Sequence, residues 1–385
     1  MSGALGRKLG AAAIVVAGFC ILGLFYANVM QGKQPGLEGD YIGYWASAQQ
    51  LVHRANPFDP AALQRLETAA GYDRVAPSIT PSPPVTFLLL VPLGFAGAWT
   101  GLILWGMAMV AALAASLWML WQLNGHPDSL LPLLGLLYAP ALACFLGGQI
   151  GLFFLLGVTV FLYLVDRHPF LAGMVLLPCV MKPHLFLALA VALLCWSLDR
   201  HIWSVLAGLA AALAVSTAVT LALDPRVFAH YAASLRATNV GERVTPTLPV
   251  LLRHTLAPGA SWLEFLPAAL SCVWAVWFYA RRRARWSWMY EGLIVLLVAR
   301  LCAPYAWFSD EAILLPAIAT AFFRARAAHR AVWPIALIFA AELAQVFARM
   351  DMKTYAYAWT APAWLLCWLL VMPQKDAPRM DIHGA

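Results

Sequence analysis

Carboxylates, cations and amides are scarce in this chain, so the few that interrupt its apolar runs are where chemistry can be done. Leu37-Glu38-Gly39-Asp40-Tyr41-Ile42-Gly43-Tyr44-Trp45 sets two acids just after the first apolar run, at the mouth of a long polar segment. A carboxylate at a membrane boundary can act as a general base, taking the proton from an attacking hydroxyl. Asp40 also precedes a helical pattern and could serve as its N-cap; on position alone capping is the favoured role. Lys182-Pro183-His184 divides the apolar stretch from Phe170 to Leu198. Ionisable groups at membrane depth are costly and point to function, and Pro183 frees backbone groups that must face protein or a wet cavity. A cationic pair there suits a phosphate head group, whereas a lysine snorkelling from a helix end is the plainer alternative.

Three further places carry polar groups. Gly147-Gly148-Gln149 breaks one apolar run into two, and Gln149 is equally a substrate contact or part of a tight turn. Pro304-Tyr305-Ala306-Trp307-Phe308-Ser309-Asp310-Glu311 sets two acids beside three aromatic rings. That composition suits a sugar ring and, equally, an interfacial aromatic belt. The segment 224–261 carries Arg226, His230, Arg236, Arg243, Arg253 and His254 against few acids. Binding the phosphate of a lipid-linked substrate would explain its charge, and a solvated basic face is the alternative.

The elements that must position these groups are helices in lipid. The chain has 385 residues, 63% apolar and 11% charged, with a mean hydropathy of +0.75. No alternating strand pattern is visible, and open sheets cannot cross lipid, so the class is an all-α polytopic membrane protein forming one domain over 1–385. The net charge of +7 comes largely from arginines at the ends of apolar runs, which suits membrane orientation rather than nucleic acid. The seven cysteines fall in or beside apolar runs, with no CxxC pair, and read as small core residues.

The run Leu9 to Met30, preceded by Arg7 and Lys8, reads as a first crossing rather than a signal peptide. The positive-inside rule then puts residues 31–84 outside as a structured first extracytoplasmic loop. Within it, Tyr41, Ile42, Tyr44, Trp45, Ala48, Leu51 and Val52 form the apolar face of an amphipathic helix suited to the membrane surface. Asn56-Pro57 ends that helix, Asp59-Pro60 begins a second one running through Ala70, and Pro77 to Pro84 is extended. Val85 to Phe95 is too short to span and reads as a re-entrant or interfacial segment. Arginine clusters at 281–285 and 324–330 fix the inside from the other end. The two counts agree on about twelve spanning helices, with 147–149, 182–184, a second long loop at 224–261, and 304–310 all outside.

No Asp-x-Asp, Walker A, GxSxG or HExxH pattern is present, so nucleotide-driven chemistry on the cytoplasmic side has no support, and no cofactor or metal ligand is assigned. Taken in order, Asp40 with Tyr44, Asn56-Pro57-Phe58-Asp59, Pro83-Pro84, Gly148-Gln149, Lys182-Pro183 and Pro304-Tyr305 to Asp310 resemble the pattern of glycosyltransferase family 87. These are enzymes of the C-type glycosyltransferase fold, typified by polyprenyl-phosphate-mannose-dependent α-mannosyltransferases. That family often has His where Tyr305 stands, and Ser309-Asp310-Glu311 replaces a more usual Tyr-Asp pair. The resemblance implies an inverting transfer of a sugar, mannose in the typical case, from a polyprenyl-phosphate donor to a glycolipid or extracytoplasmic glycan. It further implies the outer face of a bacterial inner membrane. Asp40 would be the single base, since inversion does not need a carboxylate pair, and Glu38 drops out. Lys182, His184, Arg243 and Arg253 would hold the donor phosphate, and Tyr44, Gln149, Tyr305 and Asp310 the substrate. A transporter or flippase of a lipid-linked substrate is the rival from another class, but no internal repeat supports it.

Overall fold

The computed structural model describes residues 39–72, 76–127, 135–237, 245–348 and 355–372. The expected first crossing, Glu38 and Arg243 lie outside the described residues. Among the described residues every regular element is a helix and none is a strand. Three helices are long and apolar enough to cross a membrane: Ala98–Leu123, Trp203–Leu223 and Ser261–Arg285. Their outward faces are apolar, with Ile103, Met107, Val215, Val273 and Trp277 all exposed. A contiguous apolar exterior on helices of this length is what lipid requires. At the arginine end of the third helix, Arg281 and Arg282 lie over the rings of Trp277 and Phe278.

Among the described residues the other apolar runs form shorter helices, so three of the expected crossings found there are present at full length. Gly151–Leu164 has 14 residues, about 21 Å at 1.5 Å per residue, against a hydrocarbon core of about 30 Å. Leu187–Asp199, Trp333–Phe347 and Thr360–Val371 are shorter than a full span too. Breaks in the backbone explain the difference. Gly148 turns left-handed at φ 58° and ends the Ala139–Gly147 helix. Pro178 and Pro183 lack the N–H that would continue an α-helix, and short 3₁₀ turns run over Leu177–Met181 and Pro183–Leu185 instead. The halves still pack closely. A Cβ on Gly173 would overlap the Val205 carbonyl and one on Gly208 the Phe170 carbonyl, so helices Pro169–Met174 and Trp203–Leu223 meet backbone to backbone, as small residues allow in lipid.

The segment after residue 38 follows its sequence signals closely, with one change. A helix runs over Tyr41–Val52, and a second over Pro60–Ala69 is capped by Asp59, which accepts from the Ala61 N–H at 3.0 Å with Pro60 at the first helical position. Val85 to Phe95 folds as two 3₁₀ turns, Pro84–Leu89 and Val91–Phe95, neither of which can span. The change concerns Tyr41–Val52, expected on the membrane surface. It is instead enclosed by protein, with Tyr41 through Ala48 all buried. The polar tips of its apolar face hold it there. Tyr41 Oη donates to the Ala98 carbonyl at 2.7 Å, and Trp45 Nε1 and Gln49 Nε2 both donate to the Ala96 carbonyl at 2.9 and 2.8 Å.

Candidate functional site

The site forms where the start of the Tyr41–Val52 helix meets three backbone breaks. The Asp40 N–H donates to the Gly147 carbonyl at 3.0 Å. A Cβ on Gly39 would fall on that same carbonyl, so only glycine allows this approach. Across the break, Trp105 Nε1 donates to the Gly148 carbonyl at 3.1 Å, and the Trp105 ring packs against Tyr44 at 5.6 Å. Cys144 Sγ lies 3.3 Å from the Ser309 carbonyl, and Gly151 gives that carbonyl room. Residues 39–44, 144–151 and 305–311 are thereby fastened together through backbone groups. Gly39→Ala is expected to lower stability by about 1–3 kcal/mol, the usual cost of forcing an extra carbon into a packed site. A melting temperature equal to that of the parent would show that the Gly39–Gly147 approach is not needed.

Asp40 sits at the N-cap position, yet its backbone is already helical (φ −75°, ψ −18°) and its side chain makes no capping hydrogen bond. A cap accepts from the N–H two or three residues on from an extended backbone. Asp40 therefore is not working as a cap, and it is partly exposed. Lys182 Nζ donates to Asp310 Oδ1 at 2.8 Å, with the lysine side chain 13% exposed and the aspartate fully buried. Asp310 Oδ2 accepts from the Trp307 N–H at 2.9 Å. Lys182 and Asp310 had been expected on one face; their direct pairing had not. An ammonium has three donors, so one is directed to Asp310. Burial disfavours the charge on Lys182, but Asp310, Tyr305 and Asp40 together outweigh it and raise its pKa. The Tyr44 phenol, completely enclosed, is pushed up by burial and then by Asp40, Asp310 and Tyr305, and stays neutral. These mutual influences put Asp40, Tyr44, Lys182, Tyr305 and Asp310 in one electrostatic neighbourhood. All five, with His184 and Gln149, lie outside the three long crossings.

His184 packs edge-on against Tyr305 at 5.4 Å. Burial and then the Lys182 charge pull its pKa down to about 4. The imidazole is therefore neutral near pH 7, which removes the cationic role expected of it. Gln149 lies beside Gly147. Arg253 is engaged elsewhere, in a 2.9 Å ion pair with Glu264 and against His254. Asp224 Oδ2 lies 2.8 Å from His230 Nδ1, so these two polar groups of the 224–261 segment are engaged with each other. Among the described residues no three His, Cys, Asp or Glu side chains converge as a metal site would need.

Below Asp310 lies a second polar cluster that the residue pattern did not reveal. Arg300 Nη2 donates to Glu311 Oε1 at 2.9 Å with both side chains buried, and Thr360 Oγ1 donates to the same oxygen at 2.7 Å. Tyr138 Oη donates to the Glu311 carbonyl at 3.0 Å. Glu342, also buried, accepts from Trp364 Nε1 at 2.6 Å and lies within electrostatic reach of Glu311. The available signal was Arg300 inside one apolar run and Glu342 inside another. Arg300 meets Glu311, whereas Glu342 accepts from the neutral Trp364 indole N–H, a bond a glutamine oxygen can also accept, so Glu342→Gln is expected to leave stability within about 1 kcal/mol of the parent. Arg300→Met strands a buried carboxylate and is expected to cost about 3–5 kcal/mol. Denaturant titration of both variants checks this, and an equal loss in the two would count against the charge balance.

Comparison of the chain with protein-family models, with curated proteins and with solved structures finds no match.

Proposed function

We propose that this protein is an integral-membrane, inverting glycosyltransferase that moves a sugar, mannose on the resemblance above, from a polyprenyl-phosphate donor to a glycolipid or extracytoplasmic glycan. The observation that carries the reading is Asp40. It is a partly exposed carboxylate at a helix start that it does not cap, fixed by its own N–H to the Gly147 break and within electrostatic reach of Lys182. A capping or merely solvated acid has no need of that arrangement.

The chemistry follows from these groups. Asp40 takes the proton of an acceptor hydroxyl as its oxygen attacks the anomeric carbon from the face opposite the phosphate. The new carbon–oxygen bond forms as the bond to the phosphate oxygen breaks, and the electron pair leaves with polyprenyl phosphate. Lys182 stabilises that departing charge through the donors not directed to Asp310. The proton remains on Asp40 until solvent removes it, and the configuration inverts once. Tyr44 shapes the wall behind the base, while Tyr305 and Trp307, whose rings meet at 5.7 Å, offer aromatic faces at the rim. Asp310 is enclosed and holds Lys182 in place, a positioning role rather than the direct substrate contact expected for it. A C-type architecture with further crossings, opening on the outer face of a bacterial inner membrane, goes with this reading.

The test is whether purified protein in vesicles converts labelled polyprenyl-phosphate mannose to polyprenyl phosphate when supplied with glycolipid acceptors. Movement of the intact donor across the bilayer without cleavage would replace this reading with that of a flippase.

A further inference from the structure

Lone-pair acceptors buried without donors are costly, so two of them at the edge of one site need an explanation. His184 Nε2 and Gln149 Oε1 are both buried, and neither has a hydrogen-bond partner. The His184 ring is hydrogen-bonded to the Tyr305 backbone and held edge-on by the Tyr305 ring. With Nε2 unpartnered, that bond belongs to the other ring nitrogen. A neutral imidazole whose Nδ1 donates to a carbonyl presents Nε2 as an acceptor. An acceptor does not recognise the phosphodiester of a lipid-linked sugar, which is ionised and has no hydrogen to give. It recognises a hydroxyl. The direction of the unmet hydrogen bond therefore separates two halves of one ligand, with Lys182 facing the anionic part and His184 the polyhydroxyl part.

We infer that His184 Nε2, seconded by Gln149, accepts a hydrogen bond from a sugar hydroxyl of the lipid-linked donor and determines that the ligand carries a sugar at all. This rests on the donor class proposed above and assigns His184 to the sugar rather than to the phosphate. A site built to bond a hydroxyl discriminates strongly against ligands that lack it, because its own buried polar atom is then left unmet.

Two ligands that differ only in the sugar isolate the effect: farnesyl phosphate and farnesyl-phosphate mannose, titrated calorimetrically against the full chain in nanodiscs without acceptor. His184→Phe is expected to weaken the mannosylated ligand about tenfold and to leave farnesyl phosphate within about twofold. His184→Gln, which restores an amide near the Nε2 position, is expected to recover most of the loss and shows that the effect is not one of folding. The loss of mannosylated-ligand affinity in His184→Phe is expected to be the same from about pH 5.5 to 8.5, since that ligand is a phosphodiester with nothing to titrate there and the ring is neutral throughout. Loss of farnesyl phosphate binding in His184→Phe, a His184→Phe effect on the mannosylated ligand that disappears as pH rises through about 6.5, or no preference in the parent protein at about pH 8.5 would each overturn the assignment. A parent protein that shows the sugar preference yet never cleaves the donor would leave His184 in this role and overturn the transferase reading instead.

Discussion

Asp40→Asn is expected to slow sugar transfer by about two to four orders of magnitude, the range a positioned general base supplies, while the protein folds as before. Asparagine makes the substitution informative because it caps helices as well as aspartate does. If Asp40 served the Tyr41–Val52 helix as a cap, the asparagine variant would keep both stability and activity. If it is the base, the variant keeps the shape, the backbone bond to Gly147 and the donor affinity, and loses the rate. Asp40→Ala, which removes the carboxylate altogether, is likewise expected to lose the rate. The measurement is kcat and donor KM for both variants beside their melting temperatures. Transfer at the parent rate by folded Asp40→Asn protein would remove Asp40 from the chemistry.

The second large effect concerns the ion pair beneath the base. Asp310→Leu is expected to destabilise the protein by about 3–5 kcal/mol, because it leaves the Lys182 ammonium enclosed without its counter-charge. Lys182→Met in the same chain is expected to restore most of that loss, since an apolar pair of similar volume often replaces a buried ion pair at little cost. Activity is expected to behave differently. The double variant, folded and stable, has nothing left to meet the departing phosphate and should transfer at least a hundredfold more slowly than the parent. Denaturant unfolding and the transfer assay, run on the same preparations, separate the two roles. A double variant that regained activity along with stability would reduce Lys182 and Asp310 to a structural pair.

What could be read from the sequence were the features that depend on neighbouring residues. Asp59 before Pro60 announced a capped helix, and Pro183 and Gly147-Gly148 announced breaks, because a missing N–H or a missing Cβ acts within one turn of its own position. The gathering of Asp40, Lys182, Tyr305 and Asp310 was legible as polar groups at breaks in apolar runs. Their pairing was not. Lys182 meets Asp310 across 128 residues and Thr360 meets Glu311 across 49, and nothing in residue spacing encodes which break faces which. Burial defeated the sequence reading in two ways. It turned the Tyr41–Val52 helix, whose apolar face looks suited to a membrane surface, into an enclosed element. It also turned His184 from an expected cation into a neutral ring, since the charge a residue carries depends on what surrounds it.

The separation between Lys182 and Asp310 also matters to a ribosome. At about 5–20 residues per second, the lysine emerges roughly 6 to 26 s before the aspartate that neutralises it. Throughout that interval the nascent chain holds an ammonium between two apolar helices, Pro169–Met174 and Leu187–Asp199, with Asp40 made but the direct ion-pair partner, Asp310, not yet made. The Lys182–Asp310 pair closes only once Phe308–Leu314 has been made, so the packing of residues 169–199 around it is completed late in synthesis.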